Sequence, residues 1–280
     1  MRRLRRTIIL SLALALVAGA IVTVVTVLQR SETLVTERCV AVVGSDSYEL
    51  ATDQAANAAL ITAISVQRGL PPRAATIAVA TAMQESKLRN IGHGDEVGPD
   101  SRGLFQQRPS QGWGTEAQVS DPVYATNAFY DHLVKVPGYE SMAITDAAQA
   151  VQHSAYPEAY AQHEPMARAY ASALTGNSQR ALDCTLRQAD TAGDPNAVVD
   201  AMTAVFGSLP ADTQGRAVEL NLTGTQAWAV AQWAVANAKA LSITEVDVAG
   251  SKWNRQDRNG WQETGGTSGP VTITVSAPKT

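Results

Sequence analysis

The sequence predicts a three-part chain: a membrane-spanning helix at the N-terminus, an all-helical domain, and a small α+β domain at the C-terminal end. Three observations carry that reading. Residues 7–28 form an uncharged run rich in Leu, Ile, Val and Ala. Residues 51–174 are alanine-rich with apolar residues at helical spacing. Near the end, Val271-Thr272-Ile273-Thr274-Val275 alternates strictly, as a half-buried strand does.

As a helix, the first run would measure about 33 Å, enough for a hydrocarbon core. Arg2, Arg3, Arg5 and Arg6 precede it, so the positive-inside rule keeps the N-terminus in the cytoplasm and exports everything after residue 30. The chain would then touch the cytoplasmic membrane through residues 7–28 and work on its outer side, as a single-pass protein. A cleaved signal peptide is the alternative, since Ala18-Gly19-Ala20 has the form of a cleavage site. The apolar run continues through Val27 and Leu28, which favours the uncleaved anchor.

About 250 residues remain, a length suited to one or two domains. The net charge of −4 includes the four N-terminal arginines, so the rest is more acidic still. No basic stripe interleaved with aromatics is present, which argues against nucleic acid as a partner. The two cysteines, Cys39 and Cys184, stand on either side of the helical region. In an oxidising compartment the pair reads as one disulfide; two unrelated buried thiols are the alternative.

Within residues 31–184, Leu60, Ile61 and Ile64 make one apolar stripe. Pro71-Pro72 opens a second helix carrying Ile77, Ala80, Met83 and Gln84. A glycine-rich loop over residues 92–114 is too long for a simple connection. Asp121-Pro122 caps and starts a third helix, Thr145 is placed to cap a fourth, and Met166, Tyr170 and Leu174 mark a fifth. Residues 185–196 are polar and read as a linker. In residues 197–280, a short helix carries Val198, Met202 and Val205, and a longer one carries Trp228, Ala231, Val235 and Ala238. Strands are expected over residues 215–220, 244–248 and 271–275.

Glu85 lies late in the second helix with small neighbours, Ala78, Thr81 and Ala82, on the turns behind it. A carboxyl group there, covered by the glycine-rich loop, would lose hydration and hold a proton near neutrality, as a general acid must. The competing reading is a surface ion pair with Arg89 at i+4. Asp95 and Asp100 are candidates for a second carboxylate or for local turn hydrogen bonds. Trp113, between glycines, suits either stacking on a sugar or plugging the loop. Tyr156 and Tyr160 suit either lining a cleft or packing. His93, His132, His153 and His163 follow no metal-ligand spacing, and no cofactor is expected.

Glu85-Ser86 followed by Gly103-Leu104-Phe105-Gln106 resembles the Glu-Ser and Gly-Leu-(Met/Phe)-Gln motifs of soluble lytic transglycosylases in the lysozyme-like superfamily. The ordered set ESKLRN, GD, DSRGLFQQRPSQGWG, DPVYA and AAQAVQHSAYPEAYAQH is similar to lysozyme-like domains of actinobacterial envelope proteins. The resemblance implies peptidoglycan glycan strands as substrate, Glu85 as acid/base, and Gln106 lining the cleft. Residues 147–152, ending in Gln152, stand where those enzymes carry Ala-Tyr-Asn-Ala-Gly; the Tyr-Asn pair is absent here.

The C-terminal segment resembles a domain related to zinc-dependent D-alanyl-D-alanine carboxypeptidases, on the GRAVEL, AWAVAQWAVANA, WNRQDRNGW and VTITV segments. At the places of the metal ligands the chain has Asp212, Glu219, Pro270 and Thr272, and no histidine follows His163. That composition is a poor zinc site. Two functions follow as expectations: a glycosidase of the lytic transglycosylase or muramidase type, or a non-catalytic wall-binding or scaffold protein of the envelope.

Overall fold

The computed structural model describes residues 14–23, 35–96, 98–154, 157–265 and 269–278. It divides into two units, Met1–Thr36 and Glu37–Thr280.

In the first unit, residues 14–23 form helix α1. No helix among the described residues is long and apolar enough to cross a membrane. The membrane-spanning helix expected over residues 7–28 is therefore not found; residues 7–13 and 24–28 of that run lie outside the described residues.

The second unit opens with a sheet where helices alone were expected. Strands β1 (Arg38–Val43) and β2 (Asp46–Leu50) form a hairpin. The chain returns at β3 (Leu182–Thr185) to pair antiparallel with the other edge of β1, giving the order β2-β1-β3. The predicted all-α domain is thus α+β. Period-2 burial explains the strands: Cys39 and Ala41 on β1 and Leu182 and Cys184 on β3 turn inward while their neighbours are more open. Cys39 and Cys184 are directly opposed in register and form the disulfide.

The helices are α2 (Thr52–Gln67), α3 (Pro72–Ser86), α4 (Glu116–Val119), α5 (Pro122–Leu133), α6 (Ile144–Gln152) and α7 (Glu164–Leu174). Pro72 takes the first position of α3, where its missing N–H costs nothing. Asp121 caps α5 by accepting the Tyr124 N–H at 2.8 Å. Helix α6 begins two residues earlier than a Thr145 cap would place it, so Thr145 lies in its first turn. Helix α3 is the centre of the bundle, touching α2, α5, α6 and α7. Ala74, Ala75, Ala78, Ala80 and Ala82 on it are fully buried, and such small side chains let the neighbouring helices approach closely.

Beyond residue 190 come α8 (Pro195–Phe206), β4 (Ala211–Gln214), β5 (Ala217–Leu220), α9 (Gly224–Ala236), β6 (Ile243–Val248), β7 (Ser251–Asn254), β8 (Gln262–Glu263) and β9 (Val271–Val275). The strands form one antiparallel sheet in the order β4-β5-β9-β6-β7-β8. β5, β6 and β9 occupy the segments read from alternation, whereas β4, β7 and β8 are too short or too polar to announce themselves.

Helix α9 joins the two halves. It is buried at every position over residues 227–236, because β6 and β9 cover one side and α2, α7 and β3 the other. At its centre Gln232 accepts the Ala181 and Leu182 N–H groups, both at 2.9 Å, and donates to the carbonyls of Ala173 (2.6 Å) and Ser178 (3.0 Å). A Cβ on Gly176 would lie 1.9 Å from the Thr225 carbonyl oxygen, so only glycine permits this approach of the α7 exit to α9.

Candidate active site

Helix α3 ends at Ser86 because the next two residues, Lys87 and Leu88, adopt left-handed backbone with φ 57° and 56°. This turn removes Arg89 from the helix surface. Its guanidinium binds Asp53 on α2 instead, with Nε 2.7 Å from Oδ2. The ion pair between Glu85 and Arg89 therefore does not form.

Glu85, on the last turn, faces the 3-10 helix Pro157–His163. The Tyr160 hydroxyl donates to Glu85 Oε1 at 2.6 Å, and the Tyr160 side chain is fully buried. The Gln152 amide lies beside the carboxyl group. Burial pushes the Glu85 pKa up; the Tyr160 hydrogen bond and the nearby Gln152 amide oppose that rise, and the negative charge of Asp95 adds to it. Burial, with the adjacent Glu85 charge, raises the Tyr160 phenol in turn, so it remains a donor at neutral pH.

The loop over residues 92–114 is tied to this corner by Ser86, the second residue of the Glu-Ser pair. Its hydroxyl lies 2.7 Å from the Leu104 carbonyl and 3.0 Å from that of Ala82. The Glu-Ser and Gly-Leu-Phe-Gln segments are thus physically joined, and their pairing in the sequence was the available signal. Gln152 Nε2 donates to the Phe105 carbonyl at 2.8 Å, bringing the end of α6 to the same loop. Gly103, with φ 78°, has its Cβ position only 2.2 Å from the Val119 carbonyl oxygen, so no larger residue fits. Gln106 is partly buried, with left-handed backbone (φ 47°), and donates to the Gly103 carbonyl at 3.2 Å.

Four of the non-glycine residues with positive φ, Lys87, Leu88, Gln106 and His153, flank Glu85-Ser86, Phe105 and Gln152. Such backbone costs roughly 1–2 kcal/mol per residue and persists where surrounding structure over-determines it, commonly at functional sites.

The remaining candidates fall elsewhere. Asp100 accepts the Ser110 N–H at 3.0 Å and the Arg108 Nε at 2.9 Å, and these bonds hold its carboxyl well below the usual range. Asp95 accepts the Gly98 N–H at 2.7 Å. Trp113 packs its ring on His132 of α5, with centroids 4.2 Å apart, and its carbonyl accepts the Tyr124 hydroxyl. Tyr156 lies outside the described residues. His163 is held 3.0 Å from Gln84 Oε1, and burial lowers its pKa, aided by the Lys87 charge.

In the C-terminal sheet, Asp212 is the cross-strand partner of Glu219, and Glu219 is the partner of Thr272. Three of the four metal-ligand places named from the sequence thus share one row, while Pro270 precedes β9.

No protein-family model matches the chain, and no curated protein is significantly similar to it.

Proposed function

We propose that this protein is a peptidoglycan-cleaving glycosidase of the lysozyme-like type, acting outside the cytoplasm with Glu85 as its general acid and base. The observation that carries the reading is the environment of Glu85. Its carboxyl group is desolvated, hydrogen-bonded to Tyr160 with the Gln152 amide nearby, and joined through Ser86 to the Gly103–Gln106 segment. One oxygen takes the Tyr160 hydroxyl bond, leaving the other to carry a transferable proton. Protonated Glu85 delivers that proton to the glycosidic oxygen as the sugar approaches an oxocarbenium-like state. The resulting carboxylate then removes a proton from the attacking hydroxyl, either water or the sugar's own C6 hydroxyl.

Gln152 and Tyr160 supply polar partners to the acid although the Tyr-Asn pair of the transglycosylase motif is absent. The Cys39–Cys184 disulfide supports an oxidising compartment. Incubating the protein with purified peptidoglycan and analysing the soluble products by mass spectrometry tests the reading. Muropeptides with reducing or 1,6-anhydro muramic ends are expected. A wall left intact, with the protein merely bound, would favour the non-catalytic scaffold.

A further inference from the structure

The start of helix α2 grips the segment that follows Glu85-Ser86. Three of its polar side chains take three consecutive residues. Gln54 Nε2 donates to the Lys87 carbonyl at 2.8 Å, and Asn57 Nδ2 donates to the Leu88 carbonyl at 2.7 Å. Asp53 Oδ2 receives the Arg89 guanidinium at 2.7 Å. Positions 53 and 57 are one turn apart on α2, with 54 beside them. The aim of the Gln54 amide is fixed, because its Oε1 accepts the Ala51 N–H at 2.9 Å and leaves the nitrogen for Lys87. A carbonyl takes only a donor, so Asn57 presents its nitrogen to Leu88.

This grip answers a need of the backbone. A helix that ends on a left-handed residue usually has glycine there. Helix α3 ends instead on two such residues with side chains, Lys87 and Leu88, a conformation that persists only where its surroundings impose it. Burial of the Leu88 side chain supplies one part of that imposition, and the two amides on the carbonyl groups supply another.

The same turn sets the lie of the acid. The Lys87 N–H bonds the Met83 carbonyl at 3.1 Å and the Leu88 N–H that of Ala82 at 3.0 Å, closing the last turn of α3 around Glu85. The groups acting on the Glu85 charge are Tyr160 from the 3-10 helix, Gln152 from α6 and Asp95 from the loop. None of them belongs to α2, so α2 reaches the acid through the chain it holds.

We propose that Gln54 and Asn57 are positioning residues: by clasping the Lys87 and Leu88 carbonyl groups they hold the last turn of α3, and with it the Glu85 carboxyl group, in place beside Tyr160. Its bearing on catalysis rests on Glu85 being the acid; the clasp itself is tested without activity.

The test is a nuclear magnetic resonance titration of the glutamate carboxyl carbons in the full-length chain, with the Glu85 signal assigned by its absence from Glu85→Gln. Asn57→Leu nearly keeps the volume and removes the donor. The freed turn admits water to a carboxyl group whose pKa is raised by burial, so its midpoint should fall toward the ordinary carboxyl value. Gln54→Leu should move it the same way. Arg68→Gln loosens the opposite end of α2, where Arg68 bonds Asn127 and Asp131, and should leave the Glu85 titration unchanged. On purified peptidoglycan, Asn57→Leu should release fragments about tenfold more slowly or worse, with the alkaline limb of the profile at lower pH. A folded Asn57→Leu variant in which Glu85 titrates as in the parent overturns the clasp, whatever the parent does to peptidoglycan. So does an Arg68→Gln variant that moves Glu85 as far, since any loosening of α2 would then suffice. A shifted titration in a chain that cleaves no glycan upholds the clasp and defeats the glycosidase reading instead.

Discussion

Tyr160 donates its hydroxyl proton to Glu85 Oε1 at 2.6 Å across 75 positions of sequence. A donor aimed at a carboxylate stabilises the charged form and lowers its pKa, here against the larger upward effect of burial. Tyr160→Phe removes the donor, so the Glu85 pKa should climb further. If Glu85 is the general acid, the alkaline limb of the pH–activity profile moves to higher pH in the variant. A profile that loses height without shifting would assign Tyr160 a packing role alone.

The raised pKa of Glu85 also links stability to pH. Between its ordinary value and its raised folded value, the folded state binds more protons than the unfolded state, so stability falls as pH rises through that window. Glu85→Gln should therefore be more stable than the parent at pH 7. The difference should close as the pH drops below the ordinary carboxyl range. Denaturant titrations at pH 4 and 7 check the sign.

Cys39 and Cys184 close a loop of sequence separation 145, which in the chain-entropy model is worth roughly 5 kcal/mol. Reductant, or Cys39→Ser, should lower the unfolding midpoint substantially. Two alkylatable thiols in the native, unreduced protein would contradict the assignment.

Gln232 satisfies four backbone groups from a buried position between the two halves of the body. Gln232→Met keeps the volume but strands those groups, at a cost on the order of 3 kcal/mol or more. Urea denaturation should show that loss.

Lys87 follows the last turn of α3 with φ 57° and an exposed side chain. Glycine adopts that conformation without the Cβ penalty, so Lys87→Gly should stabilise the protein by about 0.5–1 kcal/mol. A destabilised variant would show that the Lys87 side chain, rather than its backbone, matters at this helix end.

Much of the helical framework was legible because each signal is local. Pro71-Pro72 and Asp121-Pro122 mark helix starts through backbone chemistry that operates within four residues. The strict alternation at residues 271–275 marks β9 for the same reason. The sheet β2-β1-β3 was not legible, since β3 pairs with β1 from far along the chain and spans only four residues. Periodicity cannot register in so short a segment. The helix face left Glu85 open between an acid and a surface pair, and the Glu-Ser resemblance singled it out; its bonding was not legible. The left-handed pair Lys87 and Leu88 sends Arg89 to Asp53, and the approach of Tyr160 is purely tertiary. Residues 7–28 were read from hydropathy alone, and no described helix there has the length to span a membrane.

The central claim is that the proton on Glu85 cleaves the glycan. Release of soluble muropeptides from purified peptidoglycan, compared between the parent and Glu85→Gln, tests it most directly. The substitution keeps size and hydrogen bonding but delivers no proton, so release should fall by a factor on the order of 10² or more while the fold persists. A parent that releases fragments and a Glu85→Gln variant that releases them equally fast would contradict the assignment.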